Sequence, residues 1–283
     1  MKKEKQIKQD FKENELPSNR VQVFFDCIKL RYSLIFKLGL MLVLFSLPLL
    51  AASVLKDSFL YSIQMSLAKG AISEADYTET YKMILRISYL VYIPCFAVLS
   101  LGIAGSLRVI RQLVWGEGVF FRQDFFYGVK KNAGHYVFYS LLIGVLHYLS
   151  RMAFYLEMDG WLAILKYLPS AIAMIVFIPA IIFCIVQSQL YSLNLGLEMK
   201  NGFLLYIRTF FKSLLALIVV LLPVGFIFIE IVVIKAISEL IYILFLLPFV
   251  LMGVFLFINS VLDKYINKEH YPEIYDLGIY RKK

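Results

Sequence analysis

Six stretches of this chain contain no Asp, Glu, Lys or Arg and approach or exceed the length of a bilayer span. They are Leu38–Leu55 (18 residues), Ile87–Leu107 (21), Asn132–Ser150 (19), Tyr167–Leu197 (31), Ser213–Ile229 (17) and Leu240–Leu262 (23). A hydrocarbon core about 30 Å thick needs about 20 helical residues at 1.5 Å rise each. The fifth stretch is short, but Lys212 and Glu230 at its ends can extend their charged heads toward the headgroups. The fourth is long for an upright span, so its last turns, near Gln187–Leu197, are expected to emerge or lie flat. The expected fold is all-α: a polytopic membrane protein of six transmembrane helices joined by cytoplasmic amphipathic linker helices.

Composition agrees with that reading. The 283 residues are 60% hydrophobic and 17% charged, with a mean hydropathy of +0.75. Soluble domains are about 45–50% apolar and about 25% charged. A disordered chain is excluded, and a cytosolic enzyme or a nucleic-acid binder is disfavoured. Ala51-Ala52-Ser53 resembles a signal-cleavage site, but the basic segment before the first span is far longer than a signal's n-region, and five further spans follow.

Lys and Arg set the orientation. The loops that share a side with the two termini hold 21 of them, the opposite loops seven, and Lys37 lies inside the first span. Both termini are therefore expected in the cytoplasm of a plasma-membrane protein. The surplus suits anionic lipid headgroups, so no nucleic-acid partner is expected. Three segments follow: a cytoplasmic arm and interfacial helix over 1–31, a six-helix transmembrane domain over 32–262, and a cytoplasmic tail over 263–283. The arm to residue 20 reads as mobile. On the far side, Lys56–Arg86 reads as a short helix ending at Gly70, then a new helix capped by Ser73 with Asp76 at its third position.

Every span but the third carries an interior proline, and Pro48, Pro94, Pro179, Pro223 and Pro248 are the candidate helix kinks. A weak parallel internal repeat is also expected. Asp124-Phe125-Phe126-Tyr127-Gly128-Val129-Lys130-Lys131 precedes the third span and Asn201-Gly202-Phe203-Leu204-Leu205-Tyr206-Ile207-Arg208 the fifth. Each reads as an amphipathic helix N-capped by Asp124 or Asn201, with its cation, Lys131 or Arg208, near lipid phosphates.

The segment Gly105-Ser106-Leu107-Arg108-Val109-Ile110-Arg111-Gln112-Leu113-Val114-Trp115-Gly116-Glu117-Gly118-Val119 runs into Arg122-Gln123-Asp124-Phe125-Phe126 and Val129-Lys130-Lys131-Asn132. This resembles the YesL-like family, predicted integral membrane proteins of Gram-positive bacteria that form a domain-of-unknown-function group. Leu44-Phe45-Ser46-Leu47-Pro48 is similar to the family's apolar-Pro motif, and Leu262-Asp263-Lys264-Tyr265-Ile266-Asn267-Lys268 with Tyr271-Pro272-Glu273 is similar to its C-terminus. Leu49-Leu50-Ala51-Ala52 departs from the family's usual threonine-glycine stretch. The resemblance implies an accessory membrane component found with carbohydrate-uptake systems, and no catalytic residue set comes with it.

The residues supply no catalytic constellation either. No GxSxG, HExxH, P-loop or GxGxxG occurs, and Cys27, Cys95 and Cys184 form no CxxC pair. No catalytic residue, cofactor or metal ligand is therefore expected. His135 and His147 flank the third span with no acidic residue between them, and no carboxylate is placed near the midplane. The densest chemistry is a cytoplasmic cluster of Arg108, Arg111, Glu117, Arg122, Asp124, Lys130 and Lys131, joined farther along by Arg208. It reads as a lipid-facing linker or as a docking surface for another membrane-complex subunit, with Trp115, Phe120 and Phe121 as anchors. The leading expectation is a non-enzymatic accessory protein of a carbohydrate or solute uptake system. The alternative is a transporter that binds an uncharged solute between proline-kinked helices.

Overall fold

The computed structural model describes residues 16–156, 158, 160–220, 225, 226 and 228–280. Among the described residues it is all-helical, with no strand. Four helical runs are both long enough and apolar enough to cross a membrane: Arg20–Ala68, Glu74–Trp115, Leu162–Leu190 and Val232–His270. They contain the first, second and sixth of the expected spans and the fourth as far as Leu190; the third run includes α4 (Leu168–Ile172), and the fourth run opens with α8 (Val232–Ile241). The helix α3 (Phe121–Ala153) has 33 residues and so reaches about 50 Å, but Asn132, His135, Ser140 and His147 dilute its apolar stretch. The fifth stretch is described only in part, as α7 (Phe210–Val220).

Helix α1 (Arg20–Ala68) starts where the Asn19 side chain accepts the Gln22 N–H at 2.9 Å. It runs without the expected break before Lys56, and its one non-helical residue is Arg31 (φ −131°, ψ 24°). The outer segment is thus no separate short helix but the top of α1, which turns at Gly70 (φ +69°). Ser73 then caps α2 (Glu74–Trp115), its hydroxyl accepting the Asp76 N–H. At the other end Gly116 adopts φ +72°, with Gly116 N–H to Leu113 O and Glu117 N–H to Gln112 O closing a Schellman turn.

Two of the prolines sit at a specific device. Pro179 is the second residue of α5 (Ile178–Leu190), and Pro248 the second residue of α9 (Leu247–Leu262). Each follows a π-helical turn, at 173–177 and 242–246. The wider turn accommodates the missing N–H and the ring. Pro48 and Pro94 lie inside uninterrupted helices, and Pro223 lies outside the described residues.

The two caps expected at Asp124 and Asn201 are elsewhere. Phe120 caps α3, and Asp124, four residues in, reaches back to accept the Phe120 N–H at 2.7 Å. Asn194 caps α6 (Leu195–Arg208), accepting the Leu197 N–H at 2.9 Å, which leaves Asn201 mid-helix. Each helix starts earlier than the apolar pattern suggests, at the point marked by the Asp124 bond to the Phe120 N–H and by the Asn194 cap.

Close packing fixes the bundle. Helix α2 lies between α1 and α3, and α5 against α6. A Cβ on Gly128 would meet Arg108 Cβ at 2.5 Å and Ala104 O at 3.0 Å, and one on Gly202 would meet Cys184 Sγ at 2.5 Å and Ala180 O at 3.1 Å. The first and last described segments meet at one end. Tyr280 N–H donates to Pro17 O, Arg20 Nη1–H to Leu277 O, and Gly278 (φ +83°) lies against Val114 O. Of the expected arm, residues 16–20 are described and carry these contacts, and residues 1–15 lie outside the described residues.

Candidate functional site

The expected docking cluster divides into a supporting layer and an exposed one. Arg111 is largely covered: its guanidinium stacks on Trp115 (4.7 Å), donates to Gln189 O (3.1 Å) and lies 3.8 Å from Glu117. Arg108 stacks on Tyr127 at 5.1 Å. Trp115 and Phe121 pack on the main apolar core, and Asp124 Oδ1 accepts from Gln112 Nε2 at 2.9 Å. These residues hold α2 to α3. Phe120, 74% exposed, projects from the surface, with Arg122, Lys130 and Lys131 exposed on the same helix. Arg208 stands apart on α6, stacked at 4.2 Å on Tyr265 of the run after α9. Trp115 and Phe121 are struts, and Phe120 is the exposed member of the three.

Behind this surface lies a buried polar layer that binds the helices together. Gln189 on α5 is its hub: Nε2 donates to Ala104 O (3.2 Å) and to the Tyr136 hydroxyl (2.8 Å), while Oε1 accepts from Asn132 Nδ2 (3.2 Å). Tyr136 O–H donates in turn to Ile185 O. One side chain thereby ties α2, α3 and α5 at a depth where an unpaired polar group is costly. A second set joins α1 to the run after α9: Arg20 pairs with Asp263 at 2.5 Å, Asn267 Nδ2–H donates to Asp263 Oδ1 at 2.7 Å, and the Tyr191 hydroxyl donates to Asn267 Oδ1.

The third set was not legible in the sequence. Glu198, in the first turn of α6, is fully buried. Its two carboxylate oxygens lie 3.1 and 3.0 Å from His135 Nδ1, and the Tyr139 hydroxyl donates to Oε2 at 2.8 Å. Cys184 Sγ contacts the Glu198 carbonyl at 3.3 Å. Burial lifts the Glu198 carboxyl above its ordinary value, opposed by the Tyr139 hydrogen bond and the His135 charge. Chemically the set can hold a proton between a carboxylate and an imidazole. Its only sequence signal is an acidic residue in the first turn of an otherwise apolar helix, which is also what an ordinary helix start looks like.

Some buried polar atoms have no partner. Asn259, fully buried, has neither amide atom bonded, and Gln187 Oε1 and Ser106 Oγ are likewise unpaired. At the opposite end of the molecule Lys235 and Lys56 bracket Asp57 at 2.7 and 3.0 Å. His147 stacks on Tyr92 and meets Tyr89 and Phe96 edge to face. Among the described residues no three His, Cys, Asp or Glu side chains are grouped so as to hold a metal ion. In comparisons with known proteins, no family model, no curated protein and no solved structure matches this chain.

Proposed function

We propose that this chain is a six-span plasma-membrane protein with both termini in the cytoplasm, serving as a non-enzymatic accessory subunit of a carbohydrate or solute uptake system. The excess of Lys and Arg in the loops on the side of the termini supports the orientation. The resemblance to the YesL-like family supports the association with uptake. The observation that carries a docking role is Phe120, 74% exposed beside Arg122 and mounted on packed struts. An exposed aromatic on a rigid base, with the exposed Arg122 two residues on, suits an apolar pocket with an acidic rim on another membrane subunit. The exposed cations also suit anionic headgroups. In this reading the parallel repeat has a different register: Phe120, Asp124 and Gly128 correspond to Asn194, Glu198 and Gly202.

A photo-crosslinking residue at position 120, followed by extraction in mild detergent, tests docking. A discrete crosslinked partner is expected, and Phe120→Glu with Arg122→Glu should reduce its co-purification by about tenfold or more. Trp115→Ala is unsuitable, because Trp115 supports the fold. The protein running alone in every extract would remove this reading. For orientation, Tyr280→Cys should resist a membrane-impermeant maleimide in intact cells and react after permeabilisation. Labelling from outside would invert the topology.

The second reading is a carrier of an uncharged solute. Asn259, Gln187 and Ser106 favour it, because unpaired buried amide and hydroxyl atoms on three helices match the hydrogen-bonding needs of a polyol. Solute uptake by the purified protein in liposomes, lost on Asn259→Leu, would select it.

A further inference from the structure

We propose that Glu198, His135 and Tyr139 form a proton-binding site that clamps α6 onto α3 and α5 while one proton is held, and releases α6 when that proton leaves. The site goes beyond either functional reading and depends on neither.

The geometry sets the charge states. Glu198 has no exposed surface, and both of its oxygens face one imidazole nitrogen at hydrogen-bond distance. The titratable groups that face it are His135, Tyr139 and Tyr136 from α3 and Cys184 from α5. No lysine or arginine is paired with it. The cations on α6, Lys200 and Arg208, are exposed, as are Lys130 and Lys131 ahead of His135 on α3. With one proton shared between carboxyl and imidazole, the pair is neutral overall, as an ion pair or as an acid beside a neutral ring. Removing that proton leaves a carboxylate without a countercharge in a dry interface, held only by two hydrogen bonds.

The proton has a route. The His135 side chain is 34% exposed while Glu198 is sealed, so the imidazole is the edge through which the site exchanges with water. The clamp also has a natural reporter. Cys184 is 1% exposed beneath α6, its Sγ against the Glu198 carbonyl and within 2.5 Å of where a Cβ on Gly202 would stand. Lifting α6 uncovers that thiol.

The sign follows from burial. A carboxyl raised in the packed state stabilises that state at low pH, and the stabilisation is lost as pH rises through the raised value. α6 should therefore loosen toward alkaline pH.

The test labels Cys184 with maleimide in full-length protein carrying Cys27→Ala and Cys95→Ala, with and without Glu198→Gln. The amide is neutral at every pH and keeps an acceptor for Tyr139, and because Glu198 also acts on the Cys184 thiol, each rate is divided by the thiolate fraction read from that variant's own absorbance. The ratio of parent to Glu198→Gln should rise by about tenfold from mildly acidic to alkaline pH. A flat ratio would overturn the proposal, as would a Glu198→Gln protein labelled rapidly at every pH. Hydrogen exchange in the parent keeps the question open to refutation if Glu198→Gln does not fold. After correction for intrinsic exchange, protection over Leu197–Tyr206 should fall with pH faster than protection in α2, and parallel loss in both would refute the clamp.

Discussion

Asp263→Ala is expected to destabilise the detergent-solubilised protein by about 3–5 kcal/mol, the cost of leaving a buried charge without its partner. Arg20 and Asp263 side chains are 11% and 6% exposed and meet at 2.5 Å, so solvent screens the pair little. Asp263 also accepts from Asn267, whose amide oxygen accepts from Tyr191, and Arg20 reaches Leu277 in the tail. Losing the carboxylate unties α1, α9, the segment after α5 and the tail together. Arg20 Nε has no partner to compensate. Thermal melts should show a fall of roughly 10 °C. Arg20→Met with Asp263→Leu should recover part of it, because removing both charges leaves none stranded. A fall below about 0.5 kcal/mol would mean the pair is solvated and the termini are not locked.

Gly39→Ala should be the most damaging single methyl addition on α1. Its Cβ would stand 1.9 Å from Leu244 O and 2.9 Å from Leu244 C, which are main-chain atoms of the π-helical turn before Pro248. No rotamer can relieve that contact, so α1 must move off the turn, at a cost of about 3 kcal/mol or more. Gly134→Ala is the control: nothing lies within 4 Å of its Cβ, and a helical glycine replaced by alanine should gain about 0.5–1 kcal/mol. The two melting temperatures should therefore move in opposite directions. If Gly39→Ala melts with the parent, α1 and the π-turn are farther apart than described.

Much of the fold was legible because lipid imposes a coarse rule: a span must exclude charge over its whole length. That rule located the four runs long and apolar enough to cross a membrane. Asn132, His135, Ser140 and His147 make α3 more polar than the rule expects, and α3 is the helix whose polar groups bond to Gln189 and Glu198. Ser73 and Gly116 were readable as a cap and a turn because their chemistry is local. The helix starts at Phe120 and Asn194 were misplaced, because Asp124 acts from inside the helix by binding back to the Phe120 N–H, and Asn194 rather than Asn201 supplies the cap of α6. The prolines marked real irregularities at Pro179 and Pro248, but the π-turns that absorb them depend on the whole helix.

The candidate site divides the same way. Arg108, Arg111 and Trp115 read as one surface cluster with Phe120, since adjacent residues of these types commonly face water or lipid. Packing of α2 on α3 then turned Trp115 inward and left Phe120 out.

What the sequence determined alone is which runs are long and apolar enough for lipid, since transfer free energy depends on composition along each segment. What only the tertiary structure decided is the meaning of Glu198. It lies 63 residues from His135, and a carboxylate becomes a buried proton acceptor only where α3, α5 and α6 converge to exclude water from it.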